Sequence, residues 1–98
     1  MKEQSIQKNI INHLESKGAY TVKVISATKK GVPDIIASVP TTITQDMVGK
    51  TIGVFHAYEV KKPETKNNAS PLQLYNIDKI NKAGGIAKVV WSKDQISI

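Results

Sequence analysis

In the run His56-Ala57-Tyr58-Glu59-Val60-Lys61-Lys62, an acid and a base stand two positions apart at the end of an otherwise apolar stretch. On a strand, that spacing sends both side chains to one face. A second acid, Asp34, opens another apolar run, Ile35 to Val39, just behind the turn residues Gly31 and Pro33. Two carboxylates from separate strands, with a lysine two residues after the second, suit metal-dependent hydrolysis of a phosphodiester. Mg²⁺ takes oxygen ligands and keeps several waters, so two carboxylates and a backbone carbonyl suffice from the chain. The ion acidifies a water and offsets charge developing on phosphate; a lysine beside it orients the nucleophile or stabilises the transition state. Two helical stripes also carry a polar residue at their leading end. Glu3 precedes Ile6, Ile10 and Leu14 by intervals of three and four, and Gln73 precedes Ile77 and Ile80 in the same way.

Each residue taken singly has a plainer explanation. Glu59 and Lys61 could form a solvated strand end, Asp34 could be a turn residue after Pro33, and Glu3 could complement the helix dipole. Gln73 is unremarkable in a first helical turn. His13 and His56 have no neighbours at ligand spacing and read as structural. Tyr58 and Trp91 read as core, because the aromatics are too few to build a stacking platform.

The elements that must position these residues follow from periodicity and punctuation. Ile6, Ile10 and Leu14, widened by Ile11, predict a first helix that stops at Gly18. Residues 19–27 alternate as a strand, and 34–39 form a short apolar strand ended by Pro40. Residues 41–53, Thr-Thr-Ile-Thr through Thr-Ile-Gly, read as a loop or hairpin outside the core. A third strand covers 54–61 and is stopped by Pro63. After a polar loop, Ser70 is a good N-cap with Pro71 at the first helical position, and Gly84 and Gly85 close the second helix. Residues 86–91 make a fourth strand. The first three strands can form an antiparallel meander, with the second helix crossing over to the fourth. The expectation is an α/β fold, a small mixed sheet flanked by two helices, in a single domain over residues 1–98.

A chain of 98 residues has room for one modest core, and 40% hydrophobic with 22% charged residues is ordinary globular composition. No apolar run reaches the roughly 20 residues of a membrane span, and the polar N-terminus lacks the apolar segment of a signal peptide. The absence of cysteine excludes disulfides and thiolate metal sites. Cytoplasmic residence is the expectation. The net charge of +6 favours a polyanionic partner. All 14 basic residues are lysine, which points away from the bidentate reading of guanine by arginine and toward contact with the nucleic-acid backbone. Lys29 and Lys30, ahead of the Gly31 turn, are candidates for such contact, or else a solvated loop.

The segment Gly31-Val32-Pro33-Asp34, followed 25 residues after Asp34 by Glu59-Val60-Lys61, resembles the PD-(D/E)xK nuclease superfamily with its restriction-endonuclease-like fold. With the early helical Glu3, and with Ser70-Pro71-Leu72-Gln73 opening a helix that ends in Ala83-Gly84-Gly85, the chain is similar to the virus-type replication-repair nuclease (VRR-NUC) branch. The resemblance spans Glu3 to Trp91. It implies that Asp34 and Glu59 ligate Mg²⁺ or Mn²⁺, with the Val60 carbonyl as a third ligand. Lys61 would be the catalytic lysine, and Gln73 would support it or the attacking water. Glu3 would reach a metal through water or serve a second ion; its terminal place on the stripe selects it over Glu15. The 64–69 loop departs from the family in lacking a glycine, which bears on substrate contacts there. The implied activity is a metal-dependent DNA endonuclease. By likeness to Holliday junction resolvases it would be a homodimer selective for branched DNA, with 41–53 as a dimer contact, working in a host cytoplasm if viral (a bacteriophage protein, for instance). The alternative is a catalytically silent nucleic-acid-binding or assembly module that keeps the nuclease fold.

Overall fold

The computed structural model describes residues 2–96. The chain falls into two compact units, Met1–Val48 and Gly49–Ile98.

The N-terminal unit begins with helix α1, Glu3–Ser16. Gly18, at φ +86°, ends it: the Gly18 N–H donates to the Glu15 carbonyl and the Ala19 N–H to the Leu14 carbonyl. This Schellman pattern satisfies carbonyls the helix leaves open and turns the chain into the next strand. Strand β1, Tyr20–Lys23, pairs antiparallel with β2, Ile35–Ser38, in the register Tyr20↔Ser38 to Lys23↔Ile35. The ladder runs one step further, where the Val24 N–H donates to the Asp34 carbonyl at 2.8 Å. β1 is shorter than the predicted 19–27, since Ile25 onward enters the turn that Gly31 closes at φ +75°. The apolar stripe of α1 is only partly covered: Ile11 and Leu14 are half-buried, while Ile6 and Ile10 are each 44% exposed. Two four-residue strands span too little area to cover a 14-residue helix, which is about 21 Å long at 1.5 Å per residue. Residues 41–53 carry one 3₁₀ turn, Gln45–Met47, and no strand. Within it the Thr44 hydroxyl donates to Asp46, holding that carboxyl below its ordinary range.

The C-terminal unit is a strand–helix–strand crossover. β3, His56–Val60, pairs parallel with β4, Ile86–Val90, and helix α2, Pro71–Lys82, connects them. Ser70 caps α2, with Pro71 in the first turn, and Gly84 (φ +86°) and Gly85 end it in a second Schellman pattern, Gly84 N–H to Asn81 and Gly85 N–H to Ile80. A Cβ on Gly85 would lie 2.8 Å from Ile80 Cγ2 and 3.1 Å from the Phe55 carbonyl oxygen, so only glycine fits where the chain enters β4. The apolar core among the described residues is here: Ile80 of α2 and its C-cap Ala83 with Ala87 and Val90 of β4.

The α/β class and the order of elements match the sequence-based expectation, as does the crossover through α2. The single mixed sheet does not. The strands form two separate pairs, β1–β2 and β3–β4, in place of a three-strand meander with a fourth strand added. A meander needs a short hairpin to fix its register. The connection from β2 to β3 is instead the long 39–55 segment, broken by Pro40 and without strand pairing. No helix among the described residues is long and apolar enough to cross a membrane.

Candidate active site

Strand β3 sets the geometry. The Phe55 carbonyl accepts from Ile86 N–H at 2.8 Å, and the Lys61 N–H donates to the Val90 carbonyl at 2.9 Å. Odd-numbered residues of this segment therefore direct their backbone groups at β4, and alternation turns the carbonyl of Val60 to the opposite edge of β3, which has no strand in its sheet. Glu59 and Lys61 share one face of the strand end, as their spacing predicts, and both are half-buried. The Glu59 carboxylate has no hydrogen-bond or ion-pair partner among the described residues; the ion pair found there is Lys82–Asp78, on α2.

Helix α2 brings Gln73 to the same end. Its last turn meets the start of β4 beside Phe55, so the helix runs back antiparallel to the strands. Its 12 residues extend about 18 Å, close to the roughly 17 Å of a five-residue strand. Its first turn thus returns to the C-terminal end of β3. Gln73 also has a structural task that the sequence reading passed over. Its Oε1 accepts from the Ser70 N–H at 2.9 Å while its own N–H donates to the Ser70 hydroxyl at 3.1 Å, a capping box. The Ser-x-x-Gln spacing was the available signal. The side-chain amide NH₂ is left over for other work.

In the N-terminal unit, Asp34 stands immediately before β2 with its side chain exposed. Glu3 is the first residue of α1 and also exposed. The two lie toward one end of this unit: Gln4, Gln7, Lys8 and Ile11 of α1 line a groove with Lys23, and Lys23 pairs with Ile35, the residue after Asp34. Glu15 is occupied, its carboxylate accepting from the Thr21 hydroxyl at 3.0 Å. Lys29 and Lys30 sit exposed in the turn before Gly31. Glu59, Lys61, the Val60 carbonyl and Gln73 thus gather in one unit, and Asp34 and Glu3 in the other. No three His, Asp or Glu side chains are gathered as a metal-holding group among the described residues.

Several residues of the C-terminal unit escaped sequence reasoning. Trp91, expected in the core, is 38% exposed, with the Lys66 ammonium 5.2 Å from its ring centroid. Asn81 grips the backbone of Ala87 twice, donating to its carbonyl at 3.0 Å and accepting from its N–H at 2.8 Å. The Gln95 amide oxygen takes the N–H groups of Trp91 and Ser92 at 2.7 and 3.1 Å, fixing the backbone beyond β4, and Lys88 donates to the Gln95 carbonyl. His56 Nδ1 and the Tyr58 hydroxyl are 2.5 Å apart on the other face of β3, in keeping with a structural His56. Comparison with family models, with curated proteins and with solved structures returned no match to this chain.

Proposed function

We propose that the chain is a Mg²⁺- or Mn²⁺-dependent DNA endonuclease. The observation that carries this reading is the Glu59 carboxylate, without a hydrogen-bond or ion-pair partner among the described residues, with Lys61 on its face and the Val60 carbonyl turned to the edge of β3 that has no strand in its sheet. All-oxygen donors suit a hard divalent cation. Glu59 and the Val60 carbonyl would hold the ion from the C-terminal unit; the roles of Asp34 and Glu3 rest on the family resemblance alone. Mg²⁺ bound there supplies Lewis acidity toward the phosphodiester and toward water. Lys61 donates to the attacking water or to the phosphoryl oxygen on which charge develops. Gln73, fixed through Oε1 by the helix cap, keeps its NH₂ to donate to the attacking water or to a phosphate oxygen, since an ammonium such as that of Lys61 offers no acceptor.

The +6 charge, carried entirely by lysines on the basic side, fits a substrate held by its phosphates. Branched DNA cut by a pair of copies is the most specific form of this reading. The 41–53 segment supports it by exposing Ile43 (73%), Val48 and Ile52, apolar side chains a second copy could cover. The test is incubation of labelled duplex, flap, fork and four-way junction DNA with Mg²⁺, Mn²⁺ or EDTA, beside light scattering at micromolar protein. Metal-dependent cleavage that vanishes in EDTA and in Glu59→Ala supports the nuclease. Tight DNA binding with no cleavage under any metal would make the chain the silent binding module instead. A monomer that cuts linear duplex and junction equally would remove the resolvase form alone.

A further inference from the structure

Trp91 occupies the position after β4, and the β3–β4 register continues one step beyond Val60↔Val90 through the Lys61 N–H to Val90 carbonyl bond. Lys61 and Trp91 are therefore register neighbours, at the C-terminal end of two parallel strands. Ligands of α/β proteins bind at that end of the strands. The indole is 38% exposed, and its backbone is held rigidly because the Gln95 amide oxygen takes both the Trp91 and Ser92 N–H groups. One face of the ring carries the Lys66 ammonium at 5.2 Å. Lys61, Lys62 and Lys66 belong to the single segment that leaves β3 beside it. A rigid, part-exposed indole bordered by lysines has the two elements of a single-strand binding surface: a flat platform and charges for the backbone.

We propose that Trp91 stacks a nucleobase, and that Lys66, displaced from the ring, takes the adjoining phosphate, so that a single-stranded or frayed stretch of DNA crosses the end of the β3–β4 pair. The inference rests on the nuclease reading for its substrate. It adds which residue grips the strand and what feature of the strand is gripped. Stacking a base on an indole outweighs an exposed cation–π contact by roughly tenfold in equilibrium constant, so the exchange runs toward the base. Every base has a flat face, so this grip is indifferent to sequence, in keeping with a chain without arginine. It favours DNA whose bases are already unpaired, as at a flap or fork.

Trp91 is the one tryptophan of the chain, so its fluorescence reports on this position. The experiment titrates the protein in EDTA, where nothing is cut, with oligothymidine and with an abasic oligonucleotide of equal length. Oligothymidine should quench the emission along its binding curve, while the abasic strand binds through the lysines and quenches little. Trp91→Leu should weaken oligothymidine binding roughly tenfold, measured by anisotropy of a labelled strand, and leave the abasic affinity unchanged. Trp91→Phe, which keeps a ring, should recover most of that loss and guards against a variant that merely misfolds. Equal quenching by both strands, or unchanged oligothymidine affinity in Trp91→Leu, overturns the stacking proposal and leaves the nuclease standing. Failure of both strands to bind the wild-type protein overturns the stacking proposal, while the nuclease reading stands or falls on the separate cleavage test.

Discussion

Gly85→Ala offers the sharpest test of how the C-terminal unit is assembled. The added methyl would meet Ile80 Cγ2 at 2.8 Å, the Phe55 carbonyl oxygen at 3.1 Å and the Ile80 carbonyl oxygen at 3.3 Å. Two of these atoms are backbone. The third belongs to a side chain that is 5% exposed and has nowhere to rotate. Overpacking of this kind costs about 1–3 kcal/mol, offset in part by the ~0.4–1 kcal/mol gained when alanine restricts the unfolded chain. A net loss of about 1–2 kcal/mol is expected. With a urea m-value of about 1 kcal/mol per molar for a small protein, the midpoint should fall by about 1–2 M with the slope unchanged. Gly53→Ala is the control: nothing lies within 4 Å of its added Cβ, so the same change should be neutral or slightly stabilising there. Gly85→Ala unfolding at the wild-type urea concentration would refute the close approach of the α2–β4 turn to Phe55. The register that sets Trp91 beside Lys61 would lose its anchor with it.

Four further outcomes follow. Asp34→Ala and Glu59→Ala should each lower DNA cleavage at saturating Mg²⁺ by roughly a thousandfold, and Lys61→Ala by roughly 100- to 1,000-fold with metal affinity retained, the latter measured by calorimetry. Gln73→Glu keeps the capping box, which accepts either residue, so it should retain the wild-type melting temperature while losing cleavage; undiminished cleavage would confine Gln73 to the helix cap. Asn81→Leu removes two hydrogen bonds to the Ala87 backbone and should cost about 1–3 kcal/mol in urea denaturation. DNA affinity should fall with salt at a log–log slope of roughly −0.9 per duplex phosphate contacted and vary little between scrambled sequences at fixed salt. A strong preference for one sequence in that assay would contradict backbone recognition.

How much of this was legible in the sequence depends on whether a residue acts through a local rule. Gly18 and Gly84 end helices through left-handed backbone that glycine adopts most readily, and Ser70-Pro71 starts one through cap chemistry. Each was therefore readable from a few letters. The shared face of Glu59 and Lys61 followed from strand alternation in the same way. The division into two strand pairs did not, because pairing across the long 39–55 connection is a matter of tertiary contacts with no periodic trace. The Asn81 grip on Ala87 was illegible for a related reason, whereas Gln95 stands in a Ser92-x-x-Gln95 capping box whose spacing could have been read, as that of Gln73 could. A side-chain amide that satisfies backbone groups several residues away has no spacing signature, and Asn81 read as one more polar residue in a last helical turn. Trp91 was misread because hydrophobicity alone favours the core, whereas its place just past the end of β4 leaves the ring part in solvent.

The two side-chain amides also decide where this sheet can grow. Asn81 occupies both backbone groups of Ala87 and Gln95 occupies the N–H of Trp91, so the outer edge of β4 is closed near both ends to an incoming strand. Along β3, no side chain among the described residues takes the outward backbone groups in this way. Any extended peptide or swapped strand that adds to this pair must dock along β3, where it would take the Val60 carbonyl as a hydrogen-bond acceptor. Strand addition and cation binding would then compete for one oxygen atom, so a divalent ion that occupies it would also act as an inhibitor of edge-to-edge polymerisation.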